Sequence, residues 1–186
     1  MITAGILLAA GVSQRFGAGS KLLATYNGRP LISHAATAMR GAGLDILIAA
    51  VADEDVAAEL HGFHLAWMPA DTPSQSRSLR AGIAAARERN ADRALIALAD
   101  MPAITPGHLA EVAGRCTGNT PTATSNGARA MVPACFPRQC FDALMALEGD
   151  TGARSLLAGL PDDALVHADE SLLLDIDSPA RLRAGP

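Results

Sequence analysis

The chain has 186 residues, 49% of them hydrophobic and 18% charged. That apolar share excludes a disordered chain, and the length suffices for one domain with a sizeable core. A net charge of -4 speaks against a general nucleic-acid-binding surface, and four Phe, one Trp and one Tyr are too few for a base-stacking platform.

No stretch approaches the ~20 apolar residues of a membrane span. The apolar N-terminus is short, lacks a basic n-region and runs straight into a glycine loop, so it reads as a first strand rather than an export signal. The three cysteines, Cys116, Cys135 and Cys140, match no zinc-site spacing, and their odd number fits a reducing cytoplasm. Repeats and low-complexity linkers are not evident, so one domain over 1–186 is expected.

In chain order, strand one covers roughly Ile2–Ala9, and Lys21–Tyr26 reads as extended up to an Asn27-Gly28 turn. Pro30 opens a helix through Met39, closed by Gly41 and Gly43. Strand two is Ile46–Val51, and Asp53 can cap a short helix over Glu54–Leu60. Leu65–Met68 is strand three. Ser74–Ser78 leads into a helix reaching Glu88. Strand four is Ala94–Ala99, an apolar run without alternation, as expected when both faces are covered. Pro106 begins a helix to about Cys116. Thr117–Gly127 is the least regular part. A strand over Ala130–Cys135 and helices over Phe141–Leu147 and Gly152–Ala158 follow. Leu165–His167 and Leu172–Ile176 read as late strands, and a last short helix starts at Asp177-Ser178-Pro179.

This alternation predicts a mostly parallel sheet covered on both faces. Ligands of such sheets sit beyond the carboxyl ends of the strands. The loops after strand one, before Ser78 and at Asp100 are therefore expected on one rim.

The first of these loops follows an apolar strand and carries Gly11, Gly17 and Gly19 with two cations, Arg15 and Lys21. Glycines let the backbone turn sharply beside a bulky ligand, and successive amides can form an anion nest. A polyphosphate suits such a loop. It is neither a Walker A loop, since Ser20 precedes Lys21 and Leu22 follows, nor a Gly-x-Gly-x-x-Gly dinucleotide turn.

Other candidates admit two readings. Asp100, between an apolar strand and Met101-Pro102, is either a magnesium ligand or a turn aspartate. Asp175 and Asp177 would share one face of an extended strand; Asp177 either joins Asp100 at a metal or caps the helix at Pro179. Asp71 alone reads as a solvated turn residue. Ser74-Gln75-Ser76-Arg77-Ser78 can cap a helix or bond a base edge or phosphate. The histidines form no triad or metal spacing.

The order Leu8-Ala9-Ala10-Gly11-x-Ser13-x-Arg15-Phe16-Gly17, then Lys21-Leu22-Leu23, resembles the signature of the nucleotidyltransferase superfamily. Within it, the chain looks most like the molybdenum cofactor cytidylyltransferase family. Gly28–Leu31, Ser76–Gly82, Leu98–Pro102, Gly149-Asp150-x-Gly152-Ala153-Arg154 and Asp175–Pro179 match further family segments in order.

The resemblance implies a three-layer α/β/α Rossmann-like nucleotidyltransferase fold with a mostly parallel central sheet. It implies a nucleotide-binding set of Leu8, Ala9, Ala10, Gly11, Ser13, Arg15, Gly17, Lys21, Asp71, Gln75 and Ser78. Arg15, Lys21 and Asp100 would be catalytic, and Asp100 and Asp177 would hold Mg²⁺. Related guanylyltransferases tend to have glycine where Ala10 stands, which tilts the nucleotide toward CTP. The implied acceptor is a phosphorylated pterin, and a molybdoenzyme is a possible partner. The rival readings are another transferase of the same superfamily, GTP-dependent or using a sugar or alcohol phosphate acceptor, and a non-catalytic nucleotide- or cofactor-delivery protein. Two departures, Arg77 in the serine-rich element and Met131-Val132 before Pro133 where the family has glycine–x–proline, bear on the acceptor.

Overall fold

The computed structural model describes residues 1–11, 20–69, 74–149, 152–177 and 181–182. The main sheet contains β1 (Thr3–Leu8), β4 (Ile46–Val51), β5 (His64–Trp67), β6 (Arg93–Leu98), β7 (Thr122–Ser125), β8 (Ala130–Pro137) and β9 (Leu165–His167). A two-residue hairpin, β2 (Thr25–Tyr26) and β3 (Arg29–Pro30), stands apart. Its turn has positive φ at both Asn27 and Gly28, as an Asn-Gly hairpin turn requires. The helices are α1 (Leu31–Gly41), α2 (Glu54–Ala58), α3 (Gln75–Glu88), α4 (Pro106–Arg115) and α5 (Phe141–Met145).

The strand order is β5-β4-β1-β6-β8-β7-β9. Six of these seven strands run one way, and β8 alone opposes them. The sheet is thus mostly parallel, in a Rossmann-like α/β fold. Two apolar clusters lie on its faces. Residues alternate between them along each central strand: Leu7, Leu95 and Ala97 face α1 and α4, whereas Ile6, Ala94 and Ile96 face α3 and α5. Period-two alternation puts successive side chains on opposite faces, so both faces need apolar residues and the strands read as continuous runs.

From β1 the chain moves outward to β4 and β5, then returns through α3 to β6 on the other side of β1. The strand order therefore reverses between β1 and β6. In open α/β sheets the crevice at such a reversal, beyond the carboxyl ends, is the ligand site.

Several sequence expectations are corrected. Lys21–Leu23 is a 3-10 turn, not extended chain; Leu22, 4% exposed, is driven into the core against α1. The segment expected as a helix over Gly152–Ala158 is a 3-10 stretch, Ala153–Leu157. Leu172–Ile176 forms no strand; it is a turn and irregular chain held by the buried Ile176 against Tyr26 and Leu31. Its leucines pack from above on existing layers, so an apolar run of strand length pairs with nothing. Thr117–Gly127 supplies β7, whose threonines hydrogen-bond to buried carbonyls of α4 and β8.

Candidate functional site

The ends of β1 and β6 are stitched together past the last ladder bonds. The Ala99 N–H donates to the Leu8 carbonyl (3.1 Å), and Ala9 N–H donates to Ala50 (2.9 Å). Ala9 and Ala10 are therefore buried at the floor of the rim, 3% and 5% exposed, and the chain emerges at the exposed Gly11. A Cβ on Gly11 would meet no atom of the described residues within 4 Å.

Asp100 follows β6 by two residues, its turn anchored by the buried Met101. Lys21 opens the 3-10 turn that Leu22 pins to the core. Its Nζ donates to Asp100 Oδ2 at 2.6 Å, with side-chain exposures of 16% and 21%. Two segments 79 residues apart thus meet at the reversal point as a partly buried ion pair. The other carboxylate oxygen, Oδ1, is buried and has no hydrogen-bond partner among the described residues. A buried anionic oxygen without a partner is costly, and a hard cation with oxygen ligands would satisfy it.

The late acidic segment reaches the same place. The Ile176 N–H donates to the Asp100 carbonyl (3.0 Å), which brings Asp177, the next residue, alongside. Asp175 and Asp177 share a side even without a strand: Arg181 NH1 lies 2.8 Å from Asp175 Oδ1 and its Nε 3.8 Å from Asp177 Oδ1. No group of three His, Cys, Asp or Glu among the described residues could hold a metal alone. Mg²⁺ takes few protein carboxylates, because it keeps several waters and shares substrate phosphates, so a cluster of three is not a requirement for it.

The N-terminus of α3 faces this rim. Ser74 caps it, accepting from the Arg77 N–H at 3.2 Å. Gln75 and Leu8 line one cavity of about 230 Å³ together with Leu98, Met131, Val132 and Arg154. A Cβ on Gly152 would sit 2.7 Å from Gln75 Oε1, the far end of a flexible side chain, so the two segments lie in contact here. Ser78 is buried, and its hydroxyl donates back to the Ser74 carbonyl at 3.2 Å, so in this conformation it is committed to its own helix. Ser13, Arg15, Gly17 and Asp71 lie outside the described residues.

Sequence reasoning passed over two residues of this rim. Arg154 stood inside a quoted segment without a role. Arg129 follows the Ser125-Asn126-Gly127 turn, and only the pairing of β7 with β8 carries it to the carboxyl-end rim. A cation two residues past an Asn-Gly pair is the one available signal.

A family model described as the MobA-like NTP transferase domain matches residues 5–167. The chain belongs to that family. It is a nucleotidyltransferase, and its substrate is a nucleoside triphosphate. Purine catabolism protein PucB of Bacillus subtilis (strain 168) is 29% identical to it, over 94% of this chain and 91% of that protein. A probable molybdenum cofactor guanylyltransferase of Haloferax mediterranei is 33% identical over 63% of this chain and 56% of that protein. The crystal structure of Rv0371c from Mycobacterium tuberculosis H37Rv superposes with a TM-score of 0.84 at 25% identity, covering 99% of this chain and 97% of that one.

Proposed function

We propose that this nucleotidyltransferase moves CMP from CTP to the terminal phosphate of a molybdopterin-type acceptor in a Mg²⁺-dependent reaction. The observation that carries the reading is the Lys21–Asp100 pair at the reversal point, beside Ala9-Ala10-Gly11. An acceptor phosphate oxygen attacks the α-phosphorus, the bond from that phosphorus to the β-phosphate oxygen breaks, and pyrophosphate leaves. A phosphate monoester has its second pKa near ~6 and is mostly a dianion at neutral pH, so no protein base has to remove a proton.

The barrier is repulsion between anions and charge on the leaving group, and positioned cations lower both. Lys21 supplies one such charge, held in place by Asp100. Asp100 and Asp177 would hold the Mg²⁺, which when bound supplies Lewis-acid stabilisation of the phosphate oxygens. Ala10 tilts the reading toward CTP because the guanylyltransferases that the chain resembles tend to have glycine there; its side chain packs with Ala50 and Met68. A second reading, GTP as donor, is favoured by the name of the Haloferax mediterranei relative.

The test is pyrophosphate release from CTP, GTP and ATP against a panel of phosphorylated acceptors. CTP with a phosphorylated pterin should turn over, and Asp100→Ala or Lys21→Ala should lower the rate about 10²–10³-fold, as loss of a strong electrostatic stabiliser does. Unimpaired release by Asp100→Ala would overturn the assignment. Faster turnover with GTP would select the second reading. Tight nucleotide binding without release for any acceptor would mark a delivery protein.

A further inference from the structure

A second depression of about 370 Å³ opens where the β7–β8 turn meets the Ala153–Leu157 stretch. Arg129 and Arg154 both line it, Ser125 borders it, and Leu157, Leu160 and Leu165 make it apolar. No acidic residue among those described lines it. Among the described residues, neither guanidinium is engaged by a carboxylate or a hydrogen-bond acceptor. By contrast Arg87, Arg115 and Arg181 each pair with a carboxylate. Two exposed cations side by side repel one another, and within this depression no described carboxylate offsets them, whereas Glu170, Asp175 and Asp177 line the neighbouring cavity that Arg129 also borders.

Their backbones are fixed. Asn126 Oδ1 accepts from the Ala128 and Arg129 N–H groups, both at 3.1 Å, across a turn whose Gly127 has φ +86°. Arg154 stands between Ala153 and the 3-10 residues ending at Leu157, both of which are buried in the core. Ser125 Oγ accepts from the Gly127 N–H at 3.1 Å, so its own proton can be donated outward. Each arginine also joins this depression to the catalytic rim: Arg154 lines the cavity of Leu8 and Gln75, and Arg129 the one that holds Asp177. On the sheet, β7 is two strands from β6, about 10 Å from the Asp100 strand at normal strand spacing.

We propose that Arg129 and Arg154 form a second anion subsite that binds an oxyanionic group of the acceptor other than its reacting phosphate. Planar guanidinium forks suit the paired oxygens of such a group. The proposal rests on the nucleotidyl-transfer reading above for the identity of the ligand, but the subsite can be probed without turnover.

Arginine-specific labelling with phenylglyoxal, read by peptide mass mapping, resolves the two residues in the full chain. Inorganic phosphate should slow labelling of both at least threefold relative to Arg80, and Arg154→Ala should remove the protection at Arg129. Equal protection of all three arginines, or of none, overturns the subsite. In the transfer assay, the Arg129→Ala/Arg154→Ala variant should raise the acceptor KM at least tenfold while the nucleotide KM stays within twofold, and Arg154→Lys alone should keep part of the affinity. An unchanged acceptor KM also overturns it. Phosphate protection in a protein that turns over no nucleotide would sink the transfer reading and leave the anion subsite standing.

Discussion

Lys21 is the only lysine in the chain; the other 14 basic residues of the 15 are arginines. On the proposed reading, a compact ammonium on a flexible stem would let one charge follow the phosphates, whereas a guanidinium is a fixed planar fork. His108 is the other residue whose chemistry the fold decides. It is 8% exposed, and its Nε2 lies 2.8 Å from Thr124 Oγ1. That hydroxyl donates its single proton to the Pro133 carbonyl, so Nε2 must carry the imidazole proton. Burial holds the His108 pKa below the ordinary 6.5, with Glu111 opposing. The unfolded chain therefore binds more protons in the window between the folded value and 6.5. The contribution of His108 is complete above that window and declines as pH falls through it. His108→Gln, which keeps a donor for Thr124, should lose stability less steeply than the native chain from about pH 7.5 to about pH 5.5. Urea midpoints measured across that range check this, and equal slopes would contradict it.

The elements that carry the site are held by ordinary local rules. Asp53 accepts from the Asp55 and Val56 N–H groups, Ser74 caps α3, and Thr105 caps α4 with Pro106 in its first turn. Each side chain satisfies a backbone donor that the helix itself cannot. Helix α3 comes close to β1 only because residue 82 is glycine. A methyl group there would press into the Ile6 Cγ2 methyl, far inside van der Waals contact. Alanine ordinarily gains about 1 kcal/mol over glycine inside a helix. Here overpacking should outweigh that gain, and Gly82→Ala should lose about 1–3 kcal/mol. Chemical denaturation of Gly82→Ala, and of Gly82→Ala with Ile6→Ala to make room, separates the two effects. A more stable Gly82→Ala protein would refute the close packing.

At the scale of the molecule, ligand and fold are linked. A ligand at a hundred times its dissociation constant adds roughly 2.7 kcal/mol to the folded state. Thermal denaturation with CTP and Mg²⁺ should show a shift of several degrees, reduced by a chelator and absent in Asp100→Ala. A shift of the same size in Asp100→Ala would remove that carboxylate from the site. No helix among the described residues is long and apolar enough to cross a membrane.

The residues themselves determined most of the elements. Unbroken apolar runs marked the central strands, and Asp53, Ser74 and Pro106 marked helix starts, because these signals act over a few neighbours. The Asp100 turn was legible for the same reason. What the tertiary structure alone decided depends on distant partners: that Lys21 touches Asp100, that Ile176 clamps Asp177 beside it, and that β8 runs against its neighbours and so delivers Arg129 to the rim. Leu172–Ile176 was misread because burial and strand pairing both select apolar residues, and only the available hydrogen-bonding edge separates them.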